Sequence, residues 1–293
     1  MTFPSSRKLR TALLAGAAAI LPLSSTTAAE PIRIVFQNGR SVPVSSVTLQ
    51  ADKLVIGETI DGFATGQAIP LASADHVFGE KPGEINPAIA LLLTEKPAEA
   101  LKLLEPILAA QRITAKIPGN FWLEPARAAL VAYALTGNTA KCTDIGKEIS
   151  DATPSQGNDP FVALGKALLL PASTKFEDRS VALGDLTTDN LPADVCAYAS
   201  FFRAQLLKGV RRNANPDESR KQDAETLETF LAVPCLFPSG GMILNAVAEM
   251  NAAEFLTTLG RREEAVALLN SSIRQGPGTL LVADANKRLE SLK

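Results

Sequence analysis

The chain has 293 residues, of which 46% are hydrophobic, 5% aromatic and 20% charged, and its formal net charge at pH 7 is −2. This length exceeds what one small core requires and predicts two domains or an elongated array of repeats. The acidic balance argues against nucleic acid as a partner, because nucleic-acid-binding surfaces carry clustered lysine and arginine.

Residues 1–29 have the pattern of a secretory signal peptide. Three basic residues precede the apolar run 11–23, and small residues lead to a cleavage position before Glu30. As a helix the run would span about 20 Å, against about 30 Å for the core of a bilayer. Cleavage removes three of the 29 basic residues and none of the 31 acidic ones, which leaves a net charge of −5. We therefore expect a periplasmic or secreted protein without stable membrane insertion after cleavage.

Residues 30–80 are predicted to form a small β domain. Apolar and polar residues alternate in short runs such as 32–36 and 54–56. Asn38-Gly39 indicates a hairpin turn between the first two runs, because both residues tolerate a positive φ. Four or five short strands are too few for two large packed sheets and favour a small curled barrel.

The same segment is similar to small Sm-like barrels in the order of its motifs. Gln37-Asn38-Gly39-Arg40 is followed by alternating valines and then by Ala68-Ile69-Pro70-Leu71. The similarity covers residues 30–80 only. The glycines and prolines that follow predict a linker at 81–87.

Residues 88–293 are predicted to be α-helical, because their apolar residues recur with a period of 3.6. The predicted helices are 97–108, 126–135, 139–149, 160–170, 176–186, 192–208, 219–233, 242–259, 262–273 and 280–292. About five helix pairs result, which exceeds the roughly three repeats that a stable array needs.

Two sets of residues, each a glycine, a small residue and a proline, share one spacing: Gly137, Cys142, Pro154; Gly260, Ala265, Pro277. In such a set glycine ends one helix, the small residue lets the next helix pack closely, and proline stops it. The chain therefore resembles the tetratricopeptide repeat family. The resemblance implies an α-helical solenoid after the β domain, an α+β multi-domain chain, and a concave face that receives a peptide or a folded protein. An unrelated helical bundle is the alternative.

No motif for catalysis or metal binding is found. His76 is the only histidine, and no pattern around it supplies a nucleophile and an orienting acid. The three cysteines lack the paired spacing of zinc ligands. We expect no cofactor and no metal. A hydrolase with a cleft near His76, between the two domains, remains one alternative, and an architectural spacer is another.

Three residues are candidates for a binding surface. Trp122 is the only tryptophan and a candidate anchor for a partner, although it is also suited to packing against a neighbouring helix. Arg211 and Arg212 belong to a basic segment, which would offer an anion a charged edge or simply form a solvated loop. From the family resemblance we expect an exported, non-enzymatic scaffold or adaptor that binds a protein or peptide of the cell envelope.

The three cysteines allow at most one internal disulfide. Cys196 and Cys235 are the candidate pair, because an exported chain meets oxidising conditions. Cys142 occupies the small-residue position of the repeat, which predicts a buried free thiol.

Overall fold

The computed structural model describes residues 30–153, 159–209, 215–275 and 280–292. The predicted signal peptide, the repeat prolines Pro154 and Pro277, and the candidate binding residues Arg211 and Arg212 lie outside the described residues. Pro31–Lys293 forms one unit.

The N-terminal part of this unit consists of short antiparallel strands. They are β1 Arg33–Phe36, β2 Ser41–Pro43, β3 Val47–Gln50, β4 Lys53–Ile56, β5 Ala68–Pro70 and β6 Ala74–Phe78. The alternation predicted for the first strand is confirmed, since Ile34 and Phe36 are buried and their neighbours are partly exposed. The hairpin turn is confirmed as well: Gly39 has a φ of 78°, and the Phe36 N–H donates to the Arg40 carbonyl at 2.8 Å.

The strands form two three-stranded sheets, β2-β1-β6 and β3-β4-β5, around one apolar core. Among the described strands no ladder joins one sheet to the other, so the closed barrel expected from the sequence is not formed. The reason is local. The chain passes between the sheets through 3-10 turns at Val44–Ser46 and Leu71–Ser73, which interrupt the extended backbone that a continuous ladder requires.

The predicted linker 81–87 is partly helical. The first helix already begins at Ile85, because Pro87 lies in its first turn, where the missing N–H breaks no helical hydrogen bond. Ile117, in the connection after the second helix, completes the core of the sheets, and the Val77 N–H donates to the Pro118 carbonyl at 2.9 Å. The two parts are thus in direct contact, and their division into separate domains stays a prediction.

Helices make up the rest of the described chain. They are α1 Ile85–Leu93, α2 Pro97–Gln111, α3 Leu123–Leu135, α4 Thr139–Ala152, α5 Pro160–Leu168, α6 Phe176–Gly184, α7 Ala193–Lys208, α8 Pro216–Leu236, α9 Met242–Thr258, α10 Arg262–Gln275 and α11 Leu280–Ser291. All the predicted helices are present to within a few residues. The short helix α1 was not predicted separately, because it is apolar on almost every side and has no clear period.

The two repeat glycines end helices as predicted. Gly137 and Gly260 have φ values of 71° and 74°. In each turn the N–H after the glycine donates to the carbonyl five residues earlier, from Asn138 to Tyr133 and from Arg261 to Leu256, both at 2.9 Å. This is the Schellman arrangement.

The same turn occurs a third time, between α1 and α2, without a glycine. Glu95 has a φ of 64°, and the Lys96 N–H donates to the Leu91 carbonyl at 2.9 Å. Five residues after each positive-φ position a small side chain is buried: Ala100, Cys142, Ala265. Three helical hairpins therefore share one geometry, although only two share the sequence pattern.

The odd-numbered helices form a closed circuit of contacts. Each of α1, α3, α5 and α7 packs against the next odd-numbered helix, and α9 packs back against α1, while α11 also contacts α1. The first and last hairpins therefore meet, because α3, α7 and α9 are buried on almost every side and require neighbours all round. The concave solenoid face expected from the resemblance stays a prediction.

Candidate functional site

Helices α1, α3, α5, α7 and α9 begin around one cavity of about 550 Å³, which we call the mouth cavity. Each of these helices contributes a residue from its first turns: Asn86, Glu124, Phe161, Asp194, Met242. The remaining lining includes Lys81 and the connection between α8 and α9. Side chains cap the first N–H groups of three of these helices: Asn120 accepts from the Leu123 N–H, Asp159 from the Phe161 N–H and Asp194 from the Val195 N–H.

Arg127, on α3, joins three helix starts at the base of this cavity. Its Nη2 lies 2.7 Å from Asp159 Oδ2, and its Nη1 lies 3.2 Å from Asp194 Oδ2. Its guanidinium also covers the Phe161 ring at 4.8 Å. Asp159 is completely buried, and its other oxygen accepts from the Phe161 N–H at 2.9 Å, which caps α5. A buried carboxylate requires a partner, and Arg127 provides it.

A second ion pair lies at the edge of the cavity. Lys81 Nζ is 2.7 Å from Glu124 Oε2 and donates to Asn86 Oδ1 at 3.3 Å. The charged residues of the lining are therefore two cations, Lys81 and Arg127, and two anions, Glu124 and Asp194. Each of the four is paired within the lining, so the cavity wall carries no net formal charge.

Tyr198 contributes an unpaired hydroxyl to the cavity. Its side chain is 8% exposed, and its ring meets Phe161 edge-on at a centroid distance of 5.5 Å. Within the described residues its hydroxyl makes no hydrogen bond, and it is not among the fully buried unpaired atoms, so it is open to the cavity. Burial raises the pKa of Tyr198 well above its ordinary value, and the charges of Glu124 and Asp194 act in the same direction. The hydroxyl therefore keeps its proton and remains a donor.

The connection between α8 and α9 forms the rim of the cavity. A Cβ on Gly240 would lie 2.4 Å from the Cβ of Ala197, so only glycine lets this connection press against α7. Met242 follows at the start of α9 and is 69% exposed. The rim thus presents one flexible apolar side chain beside the charged residues of the cavity.

Of the predicted binding residues, only Trp122 is described, and it is not on the surface. It is 1% exposed and belongs to the helical core, as in the alternative interpretation of this residue. Arg127, Asp194 and Tyr198 were missed by the sequence analysis. One signal was available, because Arg127 is the only basic residue in the largely apolar helix α3.

The candidate disulfide is not formed in the structure, where all three thiols are free. Cys235 is exposed, whereas Cys196 is buried and donates to the carbonyls of Thr188 and Leu191 at 3.5 and 3.7 Å. Cys142 is buried as predicted, and burial raises the pKa of its thiol.

The remaining candidates for chemistry lie apart from the mouth cavity. His76 is on strand β6, half exposed, with Nδ1 2.8 Å from Asp75 Oδ2, and it does not line the cavity. In the described ranges no group of three or more His, Cys, Asp or Glu side chains is arranged to hold a metal ion. No helix within those ranges is long and apolar enough to cross a bilayer.

Comparison with known protein families, curated proteins and solved structures finds no match to this chain. The mouth cavity has to be interpreted from its own residues. They offer a hydroxyl donor, carboxylate acceptors and the exposed Met242 side chain.

Proposed function

We propose that this chain is an exported, non-enzymatic binding protein of the cell envelope. Its helical hairpins are proposed to be variants of the tetratricopeptide repeat, and its N-terminal strands an Sm-like module. The partner is a protein or peptide that docks at the mouth cavity. One observation carries this proposal: five helices, α1, α3, α5, α7 and α9, begin around a cavity whose rim exposes Met242.

The composition of the mouth cavity supports a partner of protein type. Binding sites in proteins combine apolar walls with a few fixed polar groups. The mouth cavity has both: Leu123 and Ile243 belong to its apolar lining, and paired ions belong to its polar lining. Methionine is common at surfaces that accept peptides, because its side chain adapts to different shapes.

Site-specific crosslinking tests this proposal. A photoreactive residue in place of Met242 is expected to crosslink a distinct envelope protein, whereas the same residue in place of Val181 is not. Val181 is a matched control, because it is an apolar residue on α6, 59% exposed, and does not line the cavity.

The partner identified in this way is then purified and its binding is measured. Met242→Asp is expected to weaken binding roughly tenfold, the effect of losing one apolar contact of about 1.4 kcal/mol, while Val181→Asp leaves binding unchanged. Equal crosslinking from both positions, or equal affinities of both aspartate variants, would show that the mouth cavity is not the docking site.

A further inference from the structure

We infer that the mouth cavity binds an uncharged side-chain amide, that of a glutamine or asparagine of the partner peptide. This inference depends on the proposed function, because it assumes a peptide partner. It names the chemical group that enters the cavity and the residues that hold it: the Tyr198 hydroxyl as donor and the carboxylates of Glu124 and Asp194 as acceptors.

The Tyr198 hydroxyl is available as a hydrogen-bond donor to a ligand. It lies in the wall of the cavity on a side chain that is 8% exposed, and no hydrogen bond to it is formed by the described part of the chain. The hydroxyl opens into the cavity and has no protein acceptor, so a ligand that brings an acceptor takes the place of the cavity water that would otherwise accept from it. The free hydroxyl therefore indicates a ligand with a hydrogen-bond acceptor.

The paired charges of the cavity lining favour a neutral ligand group. A cationic ligand would meet Lys81 and Arg127, and an anionic ligand would meet Glu124 and Asp194. All four charges are already paired, so a charged ligand group competes with an existing ion pair, more strongly at the partly buried Arg127 than at the exposed Lys81–Glu124 pair. A neutral group meets no such competition, because carboxylate oxygens in ion pairs retain lone pairs that accept further hydrogen bonds.

The size and the hydrogen-bonding groups of the mouth cavity suit a side-chain amide. The cavity, with a volume of about 550 Å³, is large enough to receive a side chain that projects from a bound peptide. A side-chain amide carries an acceptor and a donor on adjacent atoms, which matches a hydroxyl donor beside carboxylate acceptors. A saccharide is less suited, because its rings stack on open aromatic faces. Here the Arg127 guanidinium covers the Phe161 ring, and the Tyr198 ring is buried against Phe161 and Phe202.

The test uses the chain without residues 1–29, labelled with ¹⁵N, and capped tripeptides with alanine on both sides of a central glutamine, leucine, lysine or glutamate. We expect the glutamine peptide to shift the amide resonances of Phe161 and Met242 and to bind at least threefold more tightly than the other three. The N-acetylglucosamine disaccharide is the saccharide probe and is expected to cause no such shifts.

Two tyrosine variants separate binding from stability. Tyr198→Phe is expected to weaken binding of the glutamine peptide about three- to tenfold, the usual effect of one neutral hydrogen bond, without lowering the thermal midpoint. Tyr133→Phe is the matched control. Tyr133 is the only other tyrosine, and its hydroxyl donates to Glu105 Oε1 at 2.8 Å, so this variant is expected to lose stability and to keep its affinity for the peptide.

Several results would overturn the inference: tighter binding of the lysine, glutamate or leucine peptide, binding of the disaccharide instead, no shift with any probe, or an unchanged affinity in Tyr198→Phe. If crosslinking from position 242 still identifies a partner, only the amide assignment is wrong. If that crosslinking also fails, the proposed function is wrong as well.

Discussion

Arg127 shows how a single side chain organises the candidate site. It pairs with Asp159 on one side and with Asp194 on the other, and these partners are 32 and 67 residues away along the chain. Asp159 is completely buried, so the energetic role of Arg127 is mainly to compensate a carboxylate that has lost its water. The ion pairs thereby hold the starts of α3, α5 and α7 at fixed distances around the mouth cavity.

Replacing this arginine is expected to be costly. Arg127→Met keeps most of the side-chain volume but leaves Asp159 buried without a counter-charge, so we expect the free energy of unfolding to fall by about 3 kcal/mol. Urea unfolding measures the effect. In the double variant with Asp159→Asn much of the loss should be recovered, because the asparagine still caps α5 but carries no charge.

Arg112→Met is the surface control for this prediction. Arg112 is 66% exposed and pairs with Glu148 at 2.5 Å, and exposed pairs contribute only about 0–1 kcal/mol. If Arg127→Met proved as stable as Arg112→Met, the Asp159 carboxylate would not depend on Arg127.

At the scale of the secondary-structure elements, three helices end in the same type of turn. The turns after α1, α3 and α9 share one backbone conformation, with Glu95, Gly137 and Gly260 at the positive-φ position. Two of the three have glycine, which adopts this conformation without strain, whereas Glu95 brings a Cβ into a region that side chains rarely occupy. The three turns therefore form a natural comparison.

Opposite effects are expected from substitutions at equivalent turn positions. Gly260→Ala should lower the free energy of unfolding by roughly 1 kcal/mol, because alanine is strained at a φ of 74°. Glu95→Gly should raise the free energy of unfolding by about 0.5 kcal/mol. The relief of strain in the folded state is larger than this net value, because glycine also gives the unfolded chain more freedom. Chemical denaturation measures both.

Gly83→Ala is the control for the turn variants. Gly83 does not have a positive φ, and a Cβ at this position would meet nothing within 4 Å, so alanine should be tolerated or slightly stabilising. A loss of stability in Glu95→Gly would contradict the view that the three turns are equivalent.

At the scale of the unit Pro31–Lys293, the closed circuit of odd-numbered helices links segments far apart in the sequence. In a linear repeat array each hairpin contacts only its neighbours, so the ends can unfold before the middle. Here α9 packs against α1, and one apolar core extends from α1 to α11. Unfolding of any one helix therefore removes contacts from both ends of the array.

The helices are expected to unfold together. Trp122 is buried in the helical core, so its fluorescence reports on that core, while circular dichroism at 222 nm reports on all the helices. We expect the two urea transitions to coincide, as in a cooperative unit. If the circular dichroism at 222 nm decreased at lower urea concentrations than those that change Trp122 fluorescence, the hairpins would unfold independently.

Local patterns in the sequence determined the elements of this protein. Period-two and period-3.6 repeats, Asn38-Gly39 and the repeat glycines predicted the strands, the hairpin turn and nearly all the helices, because these features depend on residues close together in the chain. The turn at Glu95 could not be recognised in this way, since only the backbone shows that a glutamate has taken the place of glycine.

Tertiary structure alone decided where the site lies. The spacing of residues along a helix does not show that α9 returns to α1, that Trp122 is enclosed, or that Arg127 meets two distant aspartates. Such contacts join segments with no local relationship. They are set by helices apolar on all sides, which must be surrounded, and by buried charges, which must be paired.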